Sequence, residues 1–227
     1  MSPFSVVPAH EREEHLQAVR DRLAEGEEGV RERVARVSQR VPDEQRQRLL
    51  TQAVNAGTVA QRIHWLRREA DVVLKAVADV AACGRGCAHC CHIGTSVAEP
   101  EAIAIGKAIG RAPRDVAADR STSGNAMMTS ADGAAHPRDV RAGIDADFFG
   151  LPCTFLTDDG ECSIYEYRPM SCRHLVNFDV DELLCRLVPG EAIRVPYLNR
   201  QMAQLAYVMS MGVNARIADI RDWFPKR

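Results

Sequence analysis

Eight cysteines fall in two dense runs of a 227-residue chain. The first run is Cys83-Gly84-Arg85-Gly86-Cys87-Ala88-His89-Cys90-Cys91-His92; the second holds Cys153, Cys162 and Cys172, with Cys185 beyond it. A cysteine is ordinarily a small packing residue, but four within nine positions argue against that use. Thiolates are soft ligands that suit zinc and iron–sulfur clusters. A Cys-x-x-Cys step such as Cys87 to Cys90 lets a tight turn aim two sulfurs at one metal, and Gly84 and Gly86 can take the backbone angles that turn needs. Cys90 and Cys91 are adjacent, and adjacent side chains diverge in strand and helix alike. Either they serve different metal atoms or one of them is not a ligand.

The second run raises the same question. If Asp159-Gly160 is a two-residue turn between short strands, Cys162 faces Thr157, and Cys153 lies four residues further, about 13 Å away at the usual strand rise. That is too far for one ion, so either the loop is wider or the two cysteines serve different metals. Pro169 is placed to open a helix with Cys172 in its first turn, where the helix N-terminus and Arg168 and Arg173 favour thiolate over thiol. Arg168, Arg173 and Arg85 can offset the negative charge of a four-thiolate site; Arg85 fits simple surface solvation equally well. His89, His92 and His174 lie inside the runs as further imidazole donors, but the surplus of thiols makes none of them necessary. Tyr165 and Tyr167 read as packing around the site.

The order Cys83…Cys87…Cys90-Cys91, then Cys153-Thr154-Phe155-Leu156…Gly160-Glu161-Cys162-Ser163-Ile164-Tyr165…Arg168-Pro169…Cys172-Arg173, resembles the bacterial YkgJ-like cysteine-cluster family, named for its CxxCxxCC motif. The resemblance covers roughly residues 83–175. It implies zinc or iron chelation by the matching cysteines and no particular reaction. A related group, the flagellin lysine methylases, carries a similar cluster, which keeps an enzymatic role open. The first spacing departs from the family: Cys83 to Cys87 is Cys-x3-Cys where the family has Cys-x-x-Cys. Cys87, Cys90, Cys91, Cys153, Cys162 and Cys172 are the core of the ligand set. Cys83 is shifted, and Cys185 is either a ligand or a buried helical cysteine.

These side chains need a scaffold, and the sequence predicts a mainly α one. It comprises an N-terminal helical hairpin or bundle (residues 1–82) and a cysteine-rich metal-binding region (residues 83–227) with a short β-hairpin or irregular loops. Leu16, Val19 and Leu23, then Val30, Val34, Val37 and Val41, step by three or four, with Glu25 to Gly29 splitting the run into two helices. Val41-Pro42-Asp43 breaks the chain, with Asp43 as an N-cap. Val59, Ile63, Leu66, Ala70, Val73, Val77 and Val80 form a stripe that runs straight into Cys83. A short helix is expected from Pro100 to Ile109, a flexible Ser/Gly/Ala-rich insertion over 111–137, and structure again near Ala146 to Phe149. The two segments around Cys153 and Cys162 read as strands. The last sixty residues read as mainly helical, with Leu198, Met202, Leu205, Met209 and Val213 on one face.

Composition narrows the function classes. Net charge is -2, which argues against nucleic acid as a partner. Lys75, Lys107 and Lys226 are the only lysines among many arginines, a coding bias of the kind a GC-rich bacterial genome leaves. Met1 to Leu16 has neither the positive nor the apolar region of a secretory signal, and no apolar run reaches membrane-spanning length. The expected location is a reducing cytoplasm, where clustered cysteines bind metal rather than form disulfides. Gly106-Lys107 lacks the rest of a phosphate-binding loop. Three functions follow: a metal-binding accessory or electron-transfer protein holding an iron–sulfur cluster or zinc, with more than one metal atom favoured; a metal-dependent protein-modifying enzyme, by redox or methyl transfer; and a zinc-stapled interaction module that meets a protein partner through the N-terminal helices.

Overall fold

The computed structural model describes residues 6–84, 86–124 and 148–226. Helix α1 (Arg12–Ala24) and helix α2 (Glu28–Arg40) are separate, as the Glu25–Gly29 interruption predicts; Gly26 between them has a positive φ of 85°. Helix α3 (Asp43–Asn55) follows the proline break. Pro42 itself occupies the N-cap position and Asp43 is the first helical residue, so the expected Asp43 cap is displaced by one. Helix α4 (Val59–Val77) opens on a capping box, Thr58 with Gln61, which satisfies two orphan donors reciprocally. It ends at Val77, short of Cys83, rather than running into it; a turn through Val80 and Ala81 carries the chain onward.

Three apolar clusters hold the molecule. In the first, Leu50 and Ala53 of α3 and Ile63, Leu66 and Ala70 of α4 pack on Ala203, Ala206 and Tyr207 of a C-terminal helix, α7 (Gln201–Met211). In the second, Val97, Ile105, Phe155, Ile164, Trp223 and Phe224 gather, with Cys153 among them and Cys91 and Cys162 packed on its edge. The third joins Val37 and Val41 to Val73, Val77, Val176 and Phe178. Of the stripe expected over Leu198, Met202, Leu205, Met209 and Val213, only Met202, Leu205 and Met209 lie on α7, and they are exposed; Leu198 and Val213 lie outside the helix, which buries Ala203, Ala206, Tyr207, Val208 and Met211 instead.

A small antiparallel sheet was not foreseen. Strand β1 (Ser96–Ala98) leads into α5 (Glu99–Ile109), which has Pro100 in its first turn; β2 (Thr122–Ser123) lies within the expected 111–137 insertion, and β3 (Arg216–Asp219) comes after α7. The order is β1-β3-β2, with Val97 opposite Ala218 and Thr122 opposite Ile217. The rest of the insertion, 125–137, and the expected resumption at Ala146 and Asp147 lie outside the described residues. Helix α6 (Met170–Arg173) is a single turn behind Pro169, and α8 (Ile220–Trp223) closes the fold. Residues 175–200, expected to be helical, are largely irregular, with one 3-10 turn at Leu183–Cys185. Among the described residues, no helix is long and apolar enough to cross a membrane.

Candidate metal centre

The first cysteine run leaves α4 through the Val80 turn. Cys87 N–H donates to Gly84 O (3.2 Å), Gly86 takes a positive φ of 87°, and residues His89–His92 form a 3-10 turn. The second run does not form the two strands expected of it. A turn in which Leu156 N–H donates to Cys153 O (3.1 Å) folds Cys153 back, and a single antiparallel bridge pairs Cys162 with Leu156, not with Thr157. The extended geometry behind the 13 Å separation therefore does not hold. The loop is wider than a two-residue turn, and Cys153 and Cys162 meet in the same apolar cluster.

Backbone bonds knit the two runs together. Cys153 N–H donates to Cys91 O (2.7 Å) and Gly150 N–H to His92 O (2.8 Å). Arg221, from α8, is the clamp over that seam. Its guanidinium donates to Cys91 O (2.9 Å), Ile93 O (3.2 Å), Leu151 O (2.8 Å) and Pro152 O (3.3 Å), and it is held by the buried Asp219 carboxylate. One arginine thus supplies donors to carbonyls of both cysteine runs. The spacing of the cysteines gives no sign of this residue, which lies well beyond the last of them.

All eight cysteines are free thiols, and Cys153 is buried. Their electrostatic neighbours converge on Cys90, which Cys83, Cys87, Cys91, Cys162, Cys172 and Cys185 all feel. Cys185 feels Cys83, Cys87 and Cys90, and Cys87 feels Cys90 and Cys83. Cys91 feels Cys153 and Cys172 as well as Cys90, while Cys172 feels Cys90, Cys153 and Cys162. The adjacent Cys90 and Cys91 act most strongly on each other, Cys90 being lowered and Cys91 raised by their interaction. Burial pushes the other thiols up: Cys83, Cys87, Cys153 and Cys162 above their ordinary value, Cys185 to about 12, and Cys172 well above it. The helix-terminus expectation for Cys172 is therefore reversed, because α6 is one turn long and desolvation and neighbouring sulfurs dominate.

Of the three arginines expected to balance the thiolates, Arg168 does face them, and its charge favours ionisation of Cys83, Cys90, Cys162 and Cys172. Its Nε is buried without a hydrogen-bond partner among the described residues, and its plane lies 4.1 Å from the ring centroid of Tyr165, which is itself exposed, like Tyr167. Arg173 turns away to Asp71 (2.9 Å) and to backbone carbonyls of 166 and 168. Arg85 lies outside the described residues.

The histidines differ. His174 is buried and bonds Glu69 of α4 (2.7 Å), which also receives Arg46 (2.8 Å). Burial pushes the Glu69 carboxyl up, but these two partners outweigh it and hold it below its ordinary value. His92 is buried, with Nδ1 against Ala88 O (3.0 Å); among the described residues its Nε2 and the Nδ1 of His89 have no partner.

Among the described residues, no three Cys, His, Asp or Glu side chains already stand in an arrangement that fits one metal ion. The chemistry of the donors nonetheless fits soft metal. Thiols whose burial opposes ionisation need a cation to replace their protons, and the charge of Arg168 favours ionisation of four of them.

Residues 82–186 match the model of the CxxCxxCC family, described as "Putative zinc- or iron-chelating domain". The fold and site thus define a mainly α protein in which two cysteine runs are brought together. Residues 82–186, under half of the chain, are similar to the domain of that family. Nothing among curated proteins or solved structures matches the chain.

Proposed function

We propose that this protein is a metal-binding accessory or electron-transfer protein of the cytoplasm that holds more than one metal atom, as an iron–sulfur cluster in preference to zinc. Cys87, Cys90, Cys91, Cys153, Cys162 and Cys172 are the core ligands. The observation that carries this reading is that the fold joins the two cysteine runs, Cys153 N–H donating to Cys91 O at 2.7 Å, so that sulfurs of both runs come together around the adjacent Cys90 and Cys91. A structural zinc takes four ligands at a single point. Iron–sulfur clusters spread their cysteines over several irons, and adjacent residues with diverging side chains suit separate metal atoms. Arg168 would offset the thiolate charge. Free thiols throughout accord with a reducing compartment.

Purification without oxygen, followed by elemental analysis and a visible spectrum, tests the reading. Iron with acid-labile sulfide, at more than one metal atom per chain, is the expected result. A colourless protein with one zinc per chain overturns both the cluster and the multi-metal reading.

A further inference from the structure

We propose that a cleft between α6 and α7 binds a small carboxylic acid that carries a hydrogen-bond donor on its second carbon, a 2-hydroxy or 2-amino acid. Arg200 and Gln204 take the carboxylate, and Ser171 and His174 take the donor. This site is separate from the metal reading and does not rest on it.

The cleft opens between β1, β3, α6 and α7, and its polar lining is Ser96, Ser171, His174, Arg200, Gln204 and Tyr207. Its free volume is about 40 Å³. One water needs about 10–15 Å³ on that measure, so the space suits roughly three waters, or one molecule of about five heavy atoms.

Hydrogen-bond accounting fixes what each group has left to offer. The Tyr207 hydroxyl donates to Glu101 (2.7 Å) and accepts Ala98 N–H (2.8 Å), so Tyr207 serves as a wall. Ser171 Oγ spends its one hydrogen on Ser96 O (2.5 Å) and keeps only lone pairs for a ligand. His174 is 4% exposed and is engaged at Nε2 by Glu69 (2.7 Å); its Nδ1 has no partner among the described residues. A buried polar atom without a partner is costly, and this one belongs to a residue that lines a cleft. Ser171 and His174 are three residues apart, on one side of the α6 turn. Their side of the cleft is short of a donor.

The α7 side is the opposite. Arg200 at its N-cap and Gln204 one turn on bring a guanidinium and an amide to the same space. A guanidinium receives a carboxylate through two parallel charge-assisted bonds. A carboxylate with a hydroxyl or ammonium on the next carbon answers both sides at once, and glycolate and glycine each have the right size. Acetate answers only the α7 side.

The test is calorimetric titration of the full chain, purified without oxygen, with glycolate, glycine and acetate at millimolar concentration. Glycolate or glycine should bind about tenfold more tightly than acetate, the effect of one hydrogen bond to a buried group; which of the two binds better tells whether the donor is a hydroxyl or an ammonium. Ser171→Ala should erase the advantage over acetate. Arg200→Gln should weaken all three acids about tenfold or more, and Gln204→Ala should weaken them in the same direction. Should Ser171→Ala fail to fold, the acetate comparison still reads the donor side and Gln204→Ala the carboxylate side. Wild type that binds neither glycolate nor glycine overturns the site. Acetate binding as tightly as both overturns the donor requirement. Binding that Arg200→Gln and Gln204→Ala leave unchanged lies elsewhere on the protein, the metal centre included, and overturns the assignment to this cleft.

Discussion

Arg221 and His15 show how single side chains far from the cysteine motifs act on the stability of the fold. Arg221 serves carbonyls of both runs from a position 8% exposed. Lysine keeps the charge but offers no planar fork, so Arg221→Lys leaves buried carbonyls unpaired. A loss on the order of 3 kcal/mol is expected, read as a lowered urea midpoint, with poorer retention of metal in the same preparation. His15 of α1 is buried, its Nε2 has no partner among the described residues, and desolvation lowers its pKa below 6.5; Arg186 adds to this and Glu11 opposes it. As pH falls through 6.5, the unfolded chain takes up a proton that the folded chain refuses, so this histidine contributes stability above that pH and loses it below. Between pH 7.5 and 5.5, wild type should lose up to about 1 kcal/mol more than His15→Gln, measured by urea unfolding at each pH. An equal loss in both would remove His15 from the balance.

Among the elements, α4 does more than line a bundle. It buries an apolar stripe, as its spacing predicts, and it also carries Glu69, fully buried, to His174 just after α6. Arg173 reaches Asp71 on the same helix. The turn that bears Cys172 is therefore docked on α4 by two charged contacts. Removing one partner of a buried ion pair strands the other, and Glu69→Ala should cost about 3–5 kcal/mol. In hydrogen exchange, amides of 170–174 should lose protection in that variant; unchanged exchange there would show that α6 is held by other means. The helices themselves were legible from apolar period and breaks. Glu69 was not, because a carboxylate inside a stripe looks like a solvated position until its partner is known. The pairing of β3 with β1 was hidden for a related reason. Three- and four-residue strands carry too little alternation to declare themselves, and their register depends on a partner more than a hundred residues away.

At the scale of the molecule, metal removal should act unevenly. The core of α3, α4 and α7 contains no cysteine, whereas the cluster around Phe155 and Trp223 includes Cys153 and packs Cys91 and Cys162. A chelator should raise hydrogen exchange across residues 148–178 while α3, α4 and α7 stay protected, since ligand bonds stabilise only the part folded around them. Uniform unfolding, or no change anywhere, would contradict that division. The sequence alone determined the helical scaffold, the two cysteine runs and the soft-metal chemistry they share, because period, breakers and ligand type are local properties of the chain. The tertiary structure alone decided which sulfurs become neighbours, that Cys153 folds back toward Cys162, that Arg168 rather than Arg173 faces the thiols, and that Arg221 joins the backbones of the two runs. Those outcomes depend on distant segments meeting in one place, where burial, a charge or a bare carbonyl acquires its partner only once the chain has closed around it.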